Sequence, residues 1–284
     1  MEHTRRAILR ILGATTVAGA ATAMAPNASA ASAASCRRIP PDGIGMHLYT
    51  VRDILAADPL GTLTALADIG YRCVGVSAFP RTATEIRDLC GQAGVNPVIL
   101  HVGHGDITGD WAAKLADAAT IGVDWLVLSS FPGEMYTLDG MRLGARQLTE
   151  AGAAAAELGM GMLHHNHDSE FRVVDGVSLY EILLSETDPS LVGFELDLGW
   201  ADRAGADSRK LFTKNPGRFP VLHVKDHNGA GKWADVGAGV VDFPRIFNKA
   251  GRGGVRYWLV ERDDQPAPLE TSQNSFAYLD SVRF

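Results

Sequence analysis

The sequence predicts an α/β protein, a (β/α)8 TIM barrel forming a single domain behind an N-terminal export signal. Three observations predict it. Eight short apolar runs alternate with stretches of helical periodicity, and five of them stop on a His, Asp, Glu or Lys. The first 35 residues differ in composition from everything that follows. Strands of a parallel barrel end on one common rim, so His101, His165 with His167, Asp197, His223 followed by Lys225, and Glu261 are expected to gather there despite their separation in sequence.

Residues 1-35 read as a twin-arginine-type signal peptide with an Ala/Ser-rich segment. Thr4-Arg5-Arg6-Ala7-Ile8-Leu9-Arg10 precedes a stretch from Ile11 to Ala25 that is uncharged and diluted by Gly, Ala and Thr, and Ala28-Ser29-Ala30 has the small-x-small form of a cleavage site. About 20 strongly apolar residues are needed to span a bilayer, so no stable membrane span is expected in the mature protein. Export to the periplasm or the medium is the expectation. Ala33-Ala34-Ser35-Cys36 has a loose likeness to a lipoprotein acceptor site, but Pro26 and Asn27 separate it from the apolar stretch.

Residues 36-284 then carry the barrel. Gly43 to Tyr49 reads as the first strand. Pro59 to Ile69 has Leu60, Leu63, Leu66 and Ile69 at helical spacing and ends at Gly70. Cys73 to Ala78 is a strand, Thr82 to Ala93 a helix closed by Gly94, and Asn96 to Val102 a strand with proline tolerated near its start. Trp111 to Ile121 and Leu138 to Leu158 read as helices around a strand at Trp125 to Ser129. Gly161 to His165, Val192 to Asp197, Pro220 to Val224 and Tyr257 to Val260 read as further strands. Helices are expected at Val177 to Glu186, Ser208 to Lys214, Phe243 to Ala250 and Thr271 to Val282. Strict alternation favours a closed parallel barrel over an open doubly wound sheet. The glycine clusters at Gly229 to Gly231 and Gly237 to Gly239 lack the strand-to-helix setting of a nucleotide loop.

Composition narrows the function. Hydrophobic residues at 46% with charged residues at 21% describe a globular chain with a substantial core. The net charge of -7 comes without a basic stripe, which argues against nucleic acid as a partner. The cysteines Cys36, Cys73 and Cys90 cannot all pair internally, and Cys73 and Cys90 read as buried thiols.

Four stretches, Gly45-Met46-His47-Leu48-Tyr49-Thr50-Val51-Arg52-Asp53, His165-Asn166-His167-Asp168 with Glu170-Phe171, Phe194-Glu195-Leu196-Asp197-Leu198-Gly199-Trp200, and Pro216 to Asp226, resemble the sugar phosphate isomerase/epimerase family of xylose-isomerase-like barrels. The resemblance implies a divalent metal at the rim and acid/base chemistry on a sugar or polyol. Carried over residue by residue, it implies His165, Asp197, His223 and Glu261 as metal ligands. Relatives often carry glutamate at the first of these, so His167 or Glu170 stands as an alternative to His165. Two departures stand out: Gly75 where relatives carry glutamate, and His47 where they carry glutamine.

Two imidazoles with two carboxylates suit manganese, cobalt, zinc or iron, and magnesium less, since it prefers all-oxygen sites. Asp197 has an ordinary alternative as a helix cap, and Glu261 as a partner of Arg262. His101 and His104 read as hydrogen-bonded structure. His167, Glu170 and Lys225 are the candidate catalytic residues, with Lys225 balanced against pairing with Asp226. Trp200, Trp233 and Phe131 are candidates for a sugar-stacking wall, and Arg52 and Arg203 for holding a phosphate. An exported enzyme seldom meets phosphorylated sugars, so a neutral sugar or glycoside derivative is the expected small-molecule partner.

The leading expectation is a divalent-metal-dependent sugar isomerase or epimerase working by proton abstraction next to a carbonyl through an enediolate. The alternative is a lyase or dehydratase acting by β-elimination on an oxidised sugar such as a 3-keto-glycoside. A third reading is a sugar-binding barrel without turnover, which the loss of glutamate at Gly75 keeps open.

Overall fold

The computed structural model describes residues 37 to 284, so the export signal, its cleavage site and Cys36 lie outside the described residues. Eight parallel strands close on themselves: β1 (Ile44–His47), β2 (Cys73–Val76), β3 (Asn96–Val102), β4 (Trp125–Leu128), β5 (Gly161–His165), β6 (Val192–Asp197), β7 (Val221–Val224) and β8 (Tyr257–Val260). Each pairs with its successor in sequence, and β8 returns to β1 through Ile44 opposite Trp258. Among the described residues no helix is long and apolar enough to cross a membrane.

Local chemistry explains where the helices begin. Asp58, Asp110 and Thr137 each accept a backbone N–H three residues on, from Gly61, Ala113 and Gly140. Thr82 and Glu85 form a reciprocal capping box, so Thr82 precedes the helix Ala83–Ala93 rather than opening it.

Several boundaries differ from the sequence expectation. The first strand ends at His47 because Leu48–Val51 winds into a 3-10 turn. The second ends at Val76, ahead of Ala78 at φ +50. Val177 is not helical: Val173–Val174 and Val177–Ser178 pair around Asp175-Gly176, both at positive φ, as an Asp-Gly hairpin favours. The helix follows at Leu179–Glu186. Phe243 to Ala250 divides into Phe243–Phe247 and Ala250–Gly253, and the closing helix starts at Pro268, a residue favoured in a first turn. Short helices at Arg52–Ala57, His104–Thr108 and Leu198–Arg203 carry too little periodicity to be read from sequence.

The barrel interior is filled in tiers. Cys73, Ile99, Val127, Leu163, Val221 and Leu259 form a buried apolar plug. Side chains alternate across a strand, so two residues further along the same chains His101, His165, His223 and Glu261 point inward above that plug. The larger apolar cluster lies between strands and helices.

At the opposite, N-terminal end, buried Arg218 ties elements together. It donates to Val192 O at 3.0 Å, to Leu184 O at 3.3 Å and to Thr187 Oγ1 at 2.7 Å, and its guanidinium covers the Phe194 ring. Arg218→Met is expected to lower stability by about 3 kcal/mol, since hydrogen bonds from a charged donor are lost and their acceptors stay buried. Urea denaturation checks this, with divalent-metal uptake unchanged; a variant as stable as wild type would contradict this role.

Candidate metal centre

The ends of β5, β6, β7 and β8 bring His165, Asp197, His223 and Glu261 together, with one potential ligand atom from each lying within 4.8 Å of the others. All four are buried. His165 Nδ1 donates to Ser129 O at 3.2 Å, which leaves Nε2 as its lone-pair nitrogen, 3.6 Å from Asp197 Oδ2. His223 Nδ1 lies 3.2 Å from Glu261 Oε2 and 3.9 Å from Asp197 Oδ2. Asp197 divides its oxygens: Oδ1 caps the next helix by accepting Trp200 N at 2.8 Å, and Oδ2 faces the cluster. Its capping and candidate ligand roles therefore coexist on one carboxylate.

These four inward atoms, His165 Nε2, Asp197 Oδ2, His223 Nδ1 and Glu261 Oε2, are buried without a well-formed hydrogen bond. His47 Nε2, Glu195 Oε1 and His223 Nε2 beside them share that state, and Glu261 Oε2 is ion-paired with Lys225; two imidazoles and two carboxylates brought within 4.8 Å of one another nonetheless form a donor set that fits a cation. With metal–ligand bonds of 2.0–2.2 Å, tetrahedral donors stand about 3.4 Å apart, against 3.2, 3.6 and 3.9 Å for three of the pairs here and at most 4.8 Å for the rest. His165 Nε2 is already turned into the cluster, and neither His167 nor Glu170 falls in the grouping.

Charge in this centre is set by burial working against close partners. Burial opposes protonation of His223, but Glu195 and Glu261 outweigh it and raise its pKa to about 10 in the metal-free chain. Burial, aided by His223 and His167, holds His165 well below the usual histidine range and hence neutral. Burial raises Asp197, with Lys225 partly countering. For Glu261 burial works toward the neutral form, yet Lys225, His223 and His47 keep it well below the carboxylate range. A cation and a proton therefore compete for His223.

Lys225 Nζ sits 2.7 Å from Glu261 Oε2, 3.1 Å from Asp263 and 3.4 Å from Asp197 Oδ2, which keep it charged against the cost of burial. It does not pair with Asp226. That buried carboxylate accepts the backbone N–H groups of His227, Gly237, Gly239 and Val241 and organises the loop after β7. Only glycine fits at position 239, where a Cβ would collide with Asp226. Glu261 likewise does not pair with Arg262, which bonds Asp235 and Asp264.

Glu170, a candidate base from the sequence, stands apart from the four candidate ligands. Its oxygens are taken by His167 N at 2.9 Å, Tyr136 Oη at 3.1 Å and His164 Nε2 at 3.4 Å, and His164 points to the outer face of β5, opposite to His165. Burial favours its neutral form, but His164 and His167 bring it down to about 2. His167 stays half-buried at the rim, its ring 4.8 Å from that of His165 and 5.4 Å from Trp200.

The aromatic wall is Trp200 with Trp233, 4.7 Å apart, both beside Lys225. Phe131 is not part of it and packs on His104 and His164. Arg203 stacks on both indoles, and Arg52 donates to the carbonyls of Tyr49 and Asp263, so the two arginines do not form a phosphate cradle. His101 and His104 are hydrogen-bonded, to Glu195 and Ser129 and to Gln147, as expected of structural histidines. Cys73 and Cys90 are buried free thiols.

Sequence reasoning passed over Glu195, fully buried between His101 and His223. The signal was present: Glu195 and Asp197 interrupt an apolar strand at a spacing of two. The departures at positions 47 and 75 are explained together. His47 and Gly75 are cross-strand partners, and a Cβ on Gly75 would come within 2.9 Å of His47 Cδ2. Gly75 thus makes room for an imidazole that bonds Glu261 Oε1 at 3.0 Å.

No protein-family profile matches the sequence. An inosose dehydratase of Geobacillus thermodenitrificans is 27% identical over 154 residues, 46% of this chain and 51% of that protein. The chain spans about half the length of the curated relatives it matches. A sugar phosphate isomerase/epimerase of Parabacteroides distasonis superposes with a TM-score of 0.74 at 23% identity, covering 91% of this chain and 98% of that one. An IOLI protein with a bound zinc atom gives a TM-score of 0.67 at 14% identity, covering 85% and 99%. The chain shares the barrel fold of these structures.

Proposed function

We propose that this chain is a divalent-metal-dependent lyase that removes water or an alcohol from an oxidised sugar or polyol, such as a 3-keto-glycoside. The observation that carries the reading is the convergence of His165, Asp197, His223 and Glu261, all buried, with one potential ligand atom from each within 4.8 Å of the others. His165, Asp197, His223 and Glu261 would hold a divalent ion, which when bound would supply Lewis acidity toward a substrate carbonyl. His167, at the rim, takes the proton from the carbon beside that carbonyl. The C–H electrons form the C=C bond as the C–O bond beyond it breaks, and the departing oxygen takes the proton that His167 has accepted, leaving as water or an alcohol and returning His167 to its starting form. Lys225, charged and beside Glu261, offsets negative charge gathering on the substrate oxygens. Trp200 and Trp233 provide apolar faces for a sugar ring.

The isomerase or epimerase expectation shares the proton abstraction and differs in the second half. Likeness to an inosose dehydratase supports elimination over isomerisation. The test is incubation of metal-loaded protein with keto-glycosides and keto-polyols in deuterated water. Release of water or an alcohol with formation of an unsaturated ketone, and deuterium beside the carbonyl in recovered substrate, is the expected result. A moved carbonyl or inverted carbon without release would establish the isomerase reading instead, and tight binding with no change a binding barrel.

A further inference from the structure

We propose that Glu195 is a positioning residue that decides which nitrogen of His223 faces the cation, an inference resting on the ligand set above. Glu195 is wholly buried on β6, two residues before Asp197 and on the same inward side. Its carboxylate lies between two imidazoles, with Oε2 2.7 Å from His101 Nε2 and Oε1 2.9 Å from His223 Nε2, the latter off the in-line direction. The rings of His101 and His223 are parallel within 3°. An ionised carboxylate only accepts hydrogen bonds, so the nitrogen facing it on each ring carries the proton. Nδ1 of His223, on the Asp197 and Glu261 side, is then the nitrogen that gives up its proton when a cation binds and presents the lone pair. Carboxylates behind ligating histidines orient the ring and make it a better donor.

Glu195 is itself held in place, because His101 is anchored at its other nitrogen by Ser129 Oγ at 3.1 Å. His47 does the matching task for Glu261, bonding Oε1 and leaving Oε2 turned to the cluster. His47, His101 and His223 also lie close enough to suggest a second cation. Ions on both nitrogens of His223 would require a ring stripped of both protons, whereas Glu195 as acceptor requires one proton to stay. The geometry therefore assigns Glu195 to one site, not two.

Cobalt titration of wild type and Glu195→Gln, with melting of the metal-free proteins, tests this. Glutamine is isosteric but sets an NH2 donor against one imidazole, forcing that ring to present a lone pair. One cobalt per wild-type chain is expected, and a cobalt affinity in Glu195→Gln lower by roughly 10–100-fold at nearly unchanged metal-free melting temperature. In zinc-loaded wild type labelled with 15N-histidine, His223, assigned by its absence in His223→Gln, should be protonated at Nε2. Equal cobalt affinity in Glu195→Gln, two cobalt ions per wild-type chain, or protonation at Nδ1 would overturn the role of Glu195. A wild-type chain that takes up no cobalt overturns the ligand set, and this inference with it. Should Glu195→Gln fail to fold, Glu195→Asp carries the test: it keeps both acceptor oxygens but withdraws them by a methylene, and wild-type affinity there counts against the positioning role.

Discussion

Asp197→Asn is expected to purify folded and without its divalent ion. The amide oxygen can still accept from Trp200 N, preserving a helix cap that is typically worth about 1 kcal/mol. The atom replacing Oδ2 is an NH2 group, which cannot bind a cation and points its hydrogens at the site. Metal affinity should fall by at least about 100-fold, more than the loss typical of an outer partner, and turnover should fall with it. Metal analysis after gel filtration, together with a thermal melt, reads both halves. A variant that keeps close to one equivalent of metal removes Asp197 from the ligand set. Asp197→Ala should lose the cap as well, so its metal-free melting temperature should lie below that of Asp197→Asn.

Lys225→Met is expected to destabilise the metal-free protein by about 3–5 kcal/mol, the usual result of taking away one member of a buried ion pair. Glu261, Asp197 and Asp263 all depend on that ammonium. For a domain of this size, each kcal/mol moves the melting temperature by about 2–4 °C, so a drop of roughly 6–20 °C is expected near neutral pH. Added manganese or zinc should recover most of it, because a divalent ion supplies positive charge to the same oxygens. Loss without recovery on adding metal would mean that the lysine stabilises the site in some way other than charge. A stable Lys225→Met would show that the carboxylates are compensated elsewhere.

Much of the fold was legible because barrel strands are short, apolar and uniformly spaced. The four candidate ligands were legible for a related reason, since each ends an apolar run whose direction a parallel barrel fixes. What escaped depends on local backbone path. Glu170 stands only three residues from His167, yet the 3-10 turn Ser169–Phe171 sends its carboxylate to His164 and Tyr136. No spacing rule distinguishes those directions. Phe131 was misplaced because an aromatic after a strand can turn to the mouth or to the surrounding helices with equal ease. Asp226 adjoins Lys225 in sequence, but neighbouring positions on an extended chain face opposite ways. Glu195 was readable from its spacing to Asp197, and strand burial concealed it.

The carboxylate of Asp226, gripping four amides across residues 227 to 241, separates the loop after β7 into a fixed frame and a free tip. Asn228 through Lys232 sit outside that grip and are largely exposed. Evolution or engineering can therefore exchange the tip as a cassette, without retuning the buried cluster of His165, Asp197, His223 and Glu261.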